Sequence, residues 1–129
     1  MPNAIVKDDL YYIINDKSIP WENLRGKTFL ISGASGFLPA YMVETLLFLN
    51  ETCDLNIKIL ALVRNKEKAT KRFADYQGID DLKFLVQNVC KPINIEDSVD
   101  YIVHAASQAS PKYYGSDPVG TLSANVLGT

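Results

Sequence analysis

The run Lys27-Thr28-Phe29-Leu30-Ile31-Ser32-Gly33-Ala34-Ser35-Gly36-Phe37-Leu38 constrains this chain more than any other segment. A short apolar stretch ends in two glycines spaced G-x-x-G, and a helical pattern begins at once. Strand, glycine turn and helix in that order open a parallel α/β sheet and make a turn suited to phosphate. Gly33 permits the tight turn, and Gly36 lets backbone approach a phosphate. The helix start supplies free N–H groups and a partial positive charge. A dinucleotide-binding turn of this type carries a third glycine at the place held here by Pro39. Proline fits a first helical turn but has no N–H to donate. The donors then fall to Ser35, Phe37 and Leu38, with Ala40 as the small residue for close packing. A glycine turn without any ligand fits the same segment, so further features have to decide.

Later apolar runs extend the pattern. Strands are expected at Phe29 to Ser32, Ile57 to Val63, Leu82 to Val86 and Tyr101 to Val103. Helices are expected from Phe37 to Asn50, from Lys66 to Tyr76 and onward from Pro118. Val43, Leu46, Leu47 and Leu49 are placed to pack on a sheet. Glu51 to Asn56, Lys91 to Asp97 and Ser107 to Asp117 read as polar loops. The unbroken apolar run of the second strand suits a parallel sheet covered on both faces. Alternation of strand and helix predicts right-handed βαβ units. The expected fold class is therefore α/β, a Rossmann-like doubly wound parallel sheet that is incomplete, with about four strands. Residues 1–26 form a leader: a short helix over residues 4–14 and a connector through Ile19-Pro20-Trp21. Its helix places Ile5, Leu10, Ile13 and Ile14 on one side. Residues 27–129 are expected to form the N-terminal part of a dinucleotide-binding domain, with the final helix running on past Thr129.

Composition excludes several classes. The chain has 129 residues and a net charge of −2. The sequence pI is about 5.3, which argues against nucleic acid or an anionic membrane as the main partner. The basic run Arg64, Lys66, Lys68, Lys71 and Arg72 is interrupted by Glu67 and Asp75 and occupies one helix, so it reads as a solvated face near a phosphate-bearing cofactor. No apolar run reaches membrane-spanning length, and the acidic N-terminus lacks a signal-peptide core, so a cytoplasmic location is expected. Cys53, Cys90 and the single histidine lack metal-ligand spacing, and no metal is expected.

Three further places carry chemistry. Arg64 follows the second strand, where NAD-preferring sites usually hold an acid for the ribose hydroxyls. An arginine there pairs with a 2′-phosphate, stacks on adenine, or is a solvated cation; all three fit. Asn88 and Val89 follow the third strand, where an amide and the next backbone group could hold adenine; a turn-stabilising asparagine fits equally. Ala105, Ala106 and Ser107 end the fourth strand, where small residues let a cofactor lie against backbone. His104 beside them is expected to be a packed, hydrogen-bonded residue rather than a catalytic one.

Taken together, Leu30 to Leu38, then Asp100-Tyr101-Ile102-Val103-His104-Ala105-Ala106-Ser107, then Pro118 into Asn125-Val126-Leu127-Gly128-Thr129 resemble the extended short-chain dehydrogenase/reductases. The closest branch is similar to the NAD-dependent epimerase/dehydratases of nucleotide sugars. The resemblance implies a cofactor, NAD or NADP, bound by a Rossmann domain, and a smaller C-terminal domain that binds a nucleotide sugar. It implies oxidation of a sugar hydroxyl to a keto intermediate, with a tyrosine as general base, its pKa lowered by a lysine four residues on, and a Ser or Thr on the substrate oxygen. No tyrosine from Tyr11 to Tyr114 is followed four residues later by lysine. No catalytic residue is therefore assigned here, and the chain is read as the cofactor half of a longer enzyme, inactive alone. Asn125 matches a helix asparagine that helps hold the active-site lysine in related reductases. An NADPH-dependent reductase and a non-catalytic dinucleotide-binding module remain as alternatives. Open sheet edges suggest that the isolated chain self-associates.

Overall fold

The computed structural model describes residues 3–108 and 110–129; Met1 and Pro2 of the leader and Ala109 of the expected loop lie outside them. Strands β1 (Thr28–Ser32), β2 (Lys58–Val63), β3 (Leu82–Val86) and β4 (Tyr101–His104) form one sheet in the order β3-β2-β1-β4. Every pairing is parallel. After β1 the chain steps outward through β2 to β3, then returns across the sheet to β4. The reversal puts a topological switch point between β1 and β4, where open α/β sheets hold ligands at the carboxyl ends of their strands.

Alternation along the strands divides the core in two. Phe29, Ile31, Ile59, Ala61 and Val63 pack under helices α2 (Phe37–Cys53) and α3 (Lys66–Arg72). Leu30, Leu60 and Leu62 pack on the other face against Val89, Ile93, Ile95, Val99 and Ala124. Both faces of the central strands are thus covered, which is why β1 and β2 read as continuous apolar runs.

Helix α2 buries Val43, Leu46, Leu47 and Leu49 as expected. It runs three residues beyond Asn50, into the segment expected to be loop, and closes on Asp54 in the left-handed region at φ 53°. Asn50 is not a stop. Its Oδ1 accepts from the Ile57 N–H at 2.8 Å, and its Nδ2 donates to Ile57 O at 2.7 Å and to Asp81 at 3.0 Å. A residue that looks like a helix breaker is instead a tertiary tie from helix to strand. Helix α3 is shorter than expected: Phe73 is fully buried with φ −109°, and a 3-10 turn follows at Ala74–Tyr76.

The leader helix α1 (Ala4–Ile14) is capped by Asn3 and lies on α2. Tyr11 meets Phe48 edge-on at 4.9 Å, and the Tyr41 hydroxyl donates to Asp9. Leu10 is fully buried, but Ile5 is exposed: Asp9 and Tyr11, further along α1, meet α2. Trp21 and Leu24 reach the core from the connector, and Arg25 holds Glu22 and the carbonyl of Asp54. The expected loop from Ser107 to Asp117 contains helix α4 (Pro111–Ser116), with Pro111 as its first residue, a position that suits proline. Helix α5 (Pro118–Val126) is capped by Asp117, whose Oδ1 accepts from Gly120 N–H. No helix among the described residues is long and apolar enough to cross a membrane.

Tyr76 supplies a pH test of this packing. Its hydroxyl is enclosed and has no hydrogen-bond partner among the described residues. Burial, reinforced by Glu44, Glu51 and Asp75, pushes its pKa up to about 12 from 10.0. The unfolded tyrosine ionises near 10.0 while the folded one keeps its proton. The site's contribution to stability is therefore full below that value and is lost as pH rises towards 12. Tyr76→Phe is expected to flatten this alkaline loss and to change stability at neutral pH by less than ~1 kcal/mol. Urea midpoints of both proteins at neutral pH and in the alkaline window check it; equal alkaline slopes would contradict it.

Candidate functional site

The carboxyl ends of the four strands open into a crevice of about 540 Å³. That volume is within the range of small-ligand sites. Gly33, Ser35, Gly36, Arg64, Asn88, Val89, Ala105, Ala106 and Ser107 all line it. Phe37 and Leu38 do not; these residues are 84% and 67% exposed. What they offer is backbone. The first intrahelical bond of α2 runs from Ala40 N–H to Gly36 O at 3.0 Å, so the N–H groups of Phe37 and Leu38 precede the ladder. Pro39 has no N–H, and no side chain caps this helix end.

Gly33 is irreplaceable on two grounds. Its φ is +63°, and a Cβ there would stand 2.8 Å from Ala105 O and 2.9 Å from Ala106 Cα. The glycine turn therefore rests directly on the backbone that ends β4. At Gly36 the backbone is ordinary, but a Cβ would press on Gly33 O at 3.1 Å.

Ser32, in the apolar run of β1, ties these walls together. Its Oγ accepts from the N–H groups of Ala105 at 3.0 Å and Ala106 at 3.2 Å. With both lone pairs used, its own proton goes to His104 Nδ1 at 2.9 Å. That assigns the His104 proton to Nε2, which donates to Ala124 O in α5 at 3.1 Å. His104 is thus bonded at both ring nitrogens, as expected, yet it is exposed rather than buried because β4 is an edge strand. Asn125 Nδ2 donates to Ser107 Oγ at 3.0 Å, which leaves the Ser107 proton for a ligand.

Asn88 Oδ1 accepts from Cys90 N–H at 2.9 Å, so this end of the amide stabilises its own turn. Arg64 and Lys68 both line the crevice, and neither side chain has a hydrogen bond or ion pair among the described residues. Their basic neighbours differ: Lys71 pairs with Glu67 at 3.1 Å and Arg72 with Glu44 at 2.7 Å. Sequence reasoning missed Lys68 as a lining residue, although its spacing from Arg64 was legible. It also missed Gln108, Asp117, Ser123 and Ala124, which tertiary packing alone brings to the crevice. Cys53 and Cys90 are free thiols, and no metal-holding cluster exists among the described residues.

The sequence profile of the NAD dependent epimerase/dehydratase family matches residues 29–129. UDP-glucuronic acid decarboxylase 3 of Arabidopsis thaliana is 34% identical over 100 residues, covering 78% of this chain and 27% of that protein. UDP-glucuronic acid decarboxylase 1 of Danio rerio is 31% identical over 104 residues, covering 80% of this chain and 23% of that protein. The chain thus spans about a quarter of the length of these curated relatives. A profile match from β1 through α5, on a parallel sheet with a glycine turn at its switch point, fixes the grouping: the chain belongs to the NAD-dependent epimerase/dehydratase family.

Proposed function

We propose that this chain is the cofactor-binding part of an NAD(P)-dependent enzyme that acts on a nucleotide sugar. The observation that carries the cofactor half is the crevice at the carboxyl ends of the strands, where Gly33, Ser35 and Gly36 face Ala105, Ala106 and Ser107 beside the start of α2, which no side chain caps. A dinucleotide fits the groups around it. The N–H groups of Ser35, Phe37 and Leu38 would hold the pyrophosphate, with the α2 dipole behind them. Ala105 and Ala106 would underlie the cofactor, and the Ser107 hydroxyl, oriented by Asn125, would donate to it. When bound, the dinucleotide supplies a hydride acceptor and donor.

The nucleotide-sugar half is supported by the relatives, which are named for UDP-glucuronic acid decarboxylation. The groups that hold the sugar and the Tyr-x-x-x-Lys pair would be supplied by residues other than these 129. The test is to incubate the polypeptide that carries this segment with a dinucleotide and UDP-glucuronic acid, then other nucleotide sugars. Carbon dioxide release and the nucleotide products are followed by chromatography. Conversion of a nucleotide sugar is the expected result; dinucleotide binding with no conversion of any would reject the substrate class.

A further inference from the structure

We propose that His104 is a positioning residue that makes ligand binding in the crevice sensitive to pH: a proton added at its Nδ1 displaces the N–H of Ala105 or Ala106 from Ser32 and unsettles the wall that these alanines form. The effect on dinucleotide affinity rests on the reading above; the effect on the wall does not.

Ser32 is buried, and its hydroxyl is fully used. Both lone pairs accept from alanine N–H groups, at 3.0 and 3.2 Å, and its proton goes to His104 Nδ1 at 2.9 Å. This arrangement needs a bare Nδ1. Once Nδ1 carries a proton, a third N–H points at an oxygen with only two lone pairs, and the serine proton has lost its acceptor. The ring cannot turn away without a further loss, because Nε2–H holds Ala124 O at 3.1 Å in either protonation state. One alanine N–H is therefore displaced. Gly33 lies against Ala105 O and Ala106 Cα with no room for a Cβ, so movement of this segment reaches the glycine turn.

Charged and titratable groups around the ring are few. β1 and α5, which carry its two partners, contain no ionisable side chain, and β4 adds only Tyr101, stacked on Phe29. Lys27 and Asp100 meet at the opposite ends of β1 and β4. Asp117 at the start of α5 is held by Gly120 N–H and Gln108 Nε2, and the Cys90 thiol donates to Ser123 O. Histidine is the side chain that ordinarily changes charge between pH 5 and 8, and this chain has one. The sign of the effect is diagnostic. A cation at the strand ends would by itself attract a pyrophosphate and tighten binding in acid. Displacing a hydrogen bond from the crevice wall weakens binding in acid instead.

Calorimetric titration of the 129-residue chain with NAD+ at about pH 7.5 and about pH 5.5 tests this. NAD+ is the probe because its pyrophosphate keeps its charge over this range, whereas a phosphate monoester does not. Affinity should fall about fivefold at the lower pH, the size expected for one lost hydrogen bond. His104→Asn puts a non-titrating oxygen acceptor where Nδ1 stands. Residue 104 is exposed, so the variant is expected to fold, and circular dichroism checks that it does. It should bind NAD+ with one affinity at both pH values. In the ligand-free chain, the hydrogen-exchange protection factor of the Ala105 or Ala106 N–H, followed by NMR, should drop about fivefold in acid, and should stay level in the variant. Equal affinities at the two pH values, or tighter binding in acid, would overturn the proposal while leaving the dinucleotide site standing. Wild-type pH dependence in His104→Asn would overturn it too. Level protection at both alanines would overturn it whether or not NAD+ binds. Binding of no NAD+ at either pH would overturn the dinucleotide reading and the effect on affinity with it.

Discussion

Gly33→Val is expected to lose both dinucleotide binding and about 3–5 kcal/mol of stability, a large share of the margin of an ordinary domain. Two costs add. A β-branched residue at φ +63° is strained by its own backbone, at about 1–3 kcal/mol. The new Cβ would also lie inside contact distance of Ala105 O, Ala105 C and Ala106 Cα. These are backbone atoms, not flexible side-chain ends, and Ser32 holds the same two residues by their N–H groups. Relief would require β4 to separate from the glycine turn. Gly26→Ala is the control: it shares a positive φ of +68° but has nothing within 4 Å of the added Cβ. It should cost only ~1 kcal/mol. Urea midpoints of the two variants check the difference; equal and small losses would mean that the contact between turn and β4 is not a rigid one.

Removing the guanidinium of Arg72 is the second large effect. Glu44 is 2% exposed, and both its oxygens are taken by Arg72, at 2.7 and 2.8 Å. The pair ties α2 to α3 beside the fully buried Phe73. Arg72→Met leaves a carboxylate in the core edge without its partner, which costs about 3–5 kcal/mol. The desolvation penalty is already charged against the intact pair, so the pair itself is worth much less than that. The double variant Glu44→Leu with Arg72→Met should therefore recover most of the loss. Denaturant melts of the single and double variants check it. A double variant as unstable as Arg72→Met alone would show that packing of the arginine stem, and not the stranded charge, was responsible.

Strands and their parallel arrangement were legible because the buried runs at Phe29 to Ser32 and Ile57 to Val63 have no other stable interpretation beside a glycine turn. The glycine turn, the small residues of Ala105 to Ser107 and the position after β2 were legible for the same reason: each is a local pattern fixed to the end of a strand. What escaped was set by distant contacts. Asn50 looks like a helix end until Ile57 and Asp81 are seen to bind its amide. Pro111 and Gly115 look like loop residues, yet proline at a first helical position starts α4. Phe37 and Leu38 were read as backbone donors; their N–H groups precede the helical ladder and their side chains are exposed. Ser32 passed as one more strand residue, because its role depends on β4 lying alongside. Lys68 was assigned to a solvated surface, and only the return of β4 and α5 closes the crevice that it lines.

The proposed ligand is one extended molecule lying in the crevice along the ends of the strands. Amide hydrogen exchange of the 129-residue chain, with and without saturating dinucleotide, tests it most directly. The predicted result is slowed exchange at Ser35, Phe37 and Leu38 and at Ala105 to Ser107 together, with α1 unchanged. Unaltered exchange at the glycine turn, or protection confined to segments away from the strand ends, would contradict it.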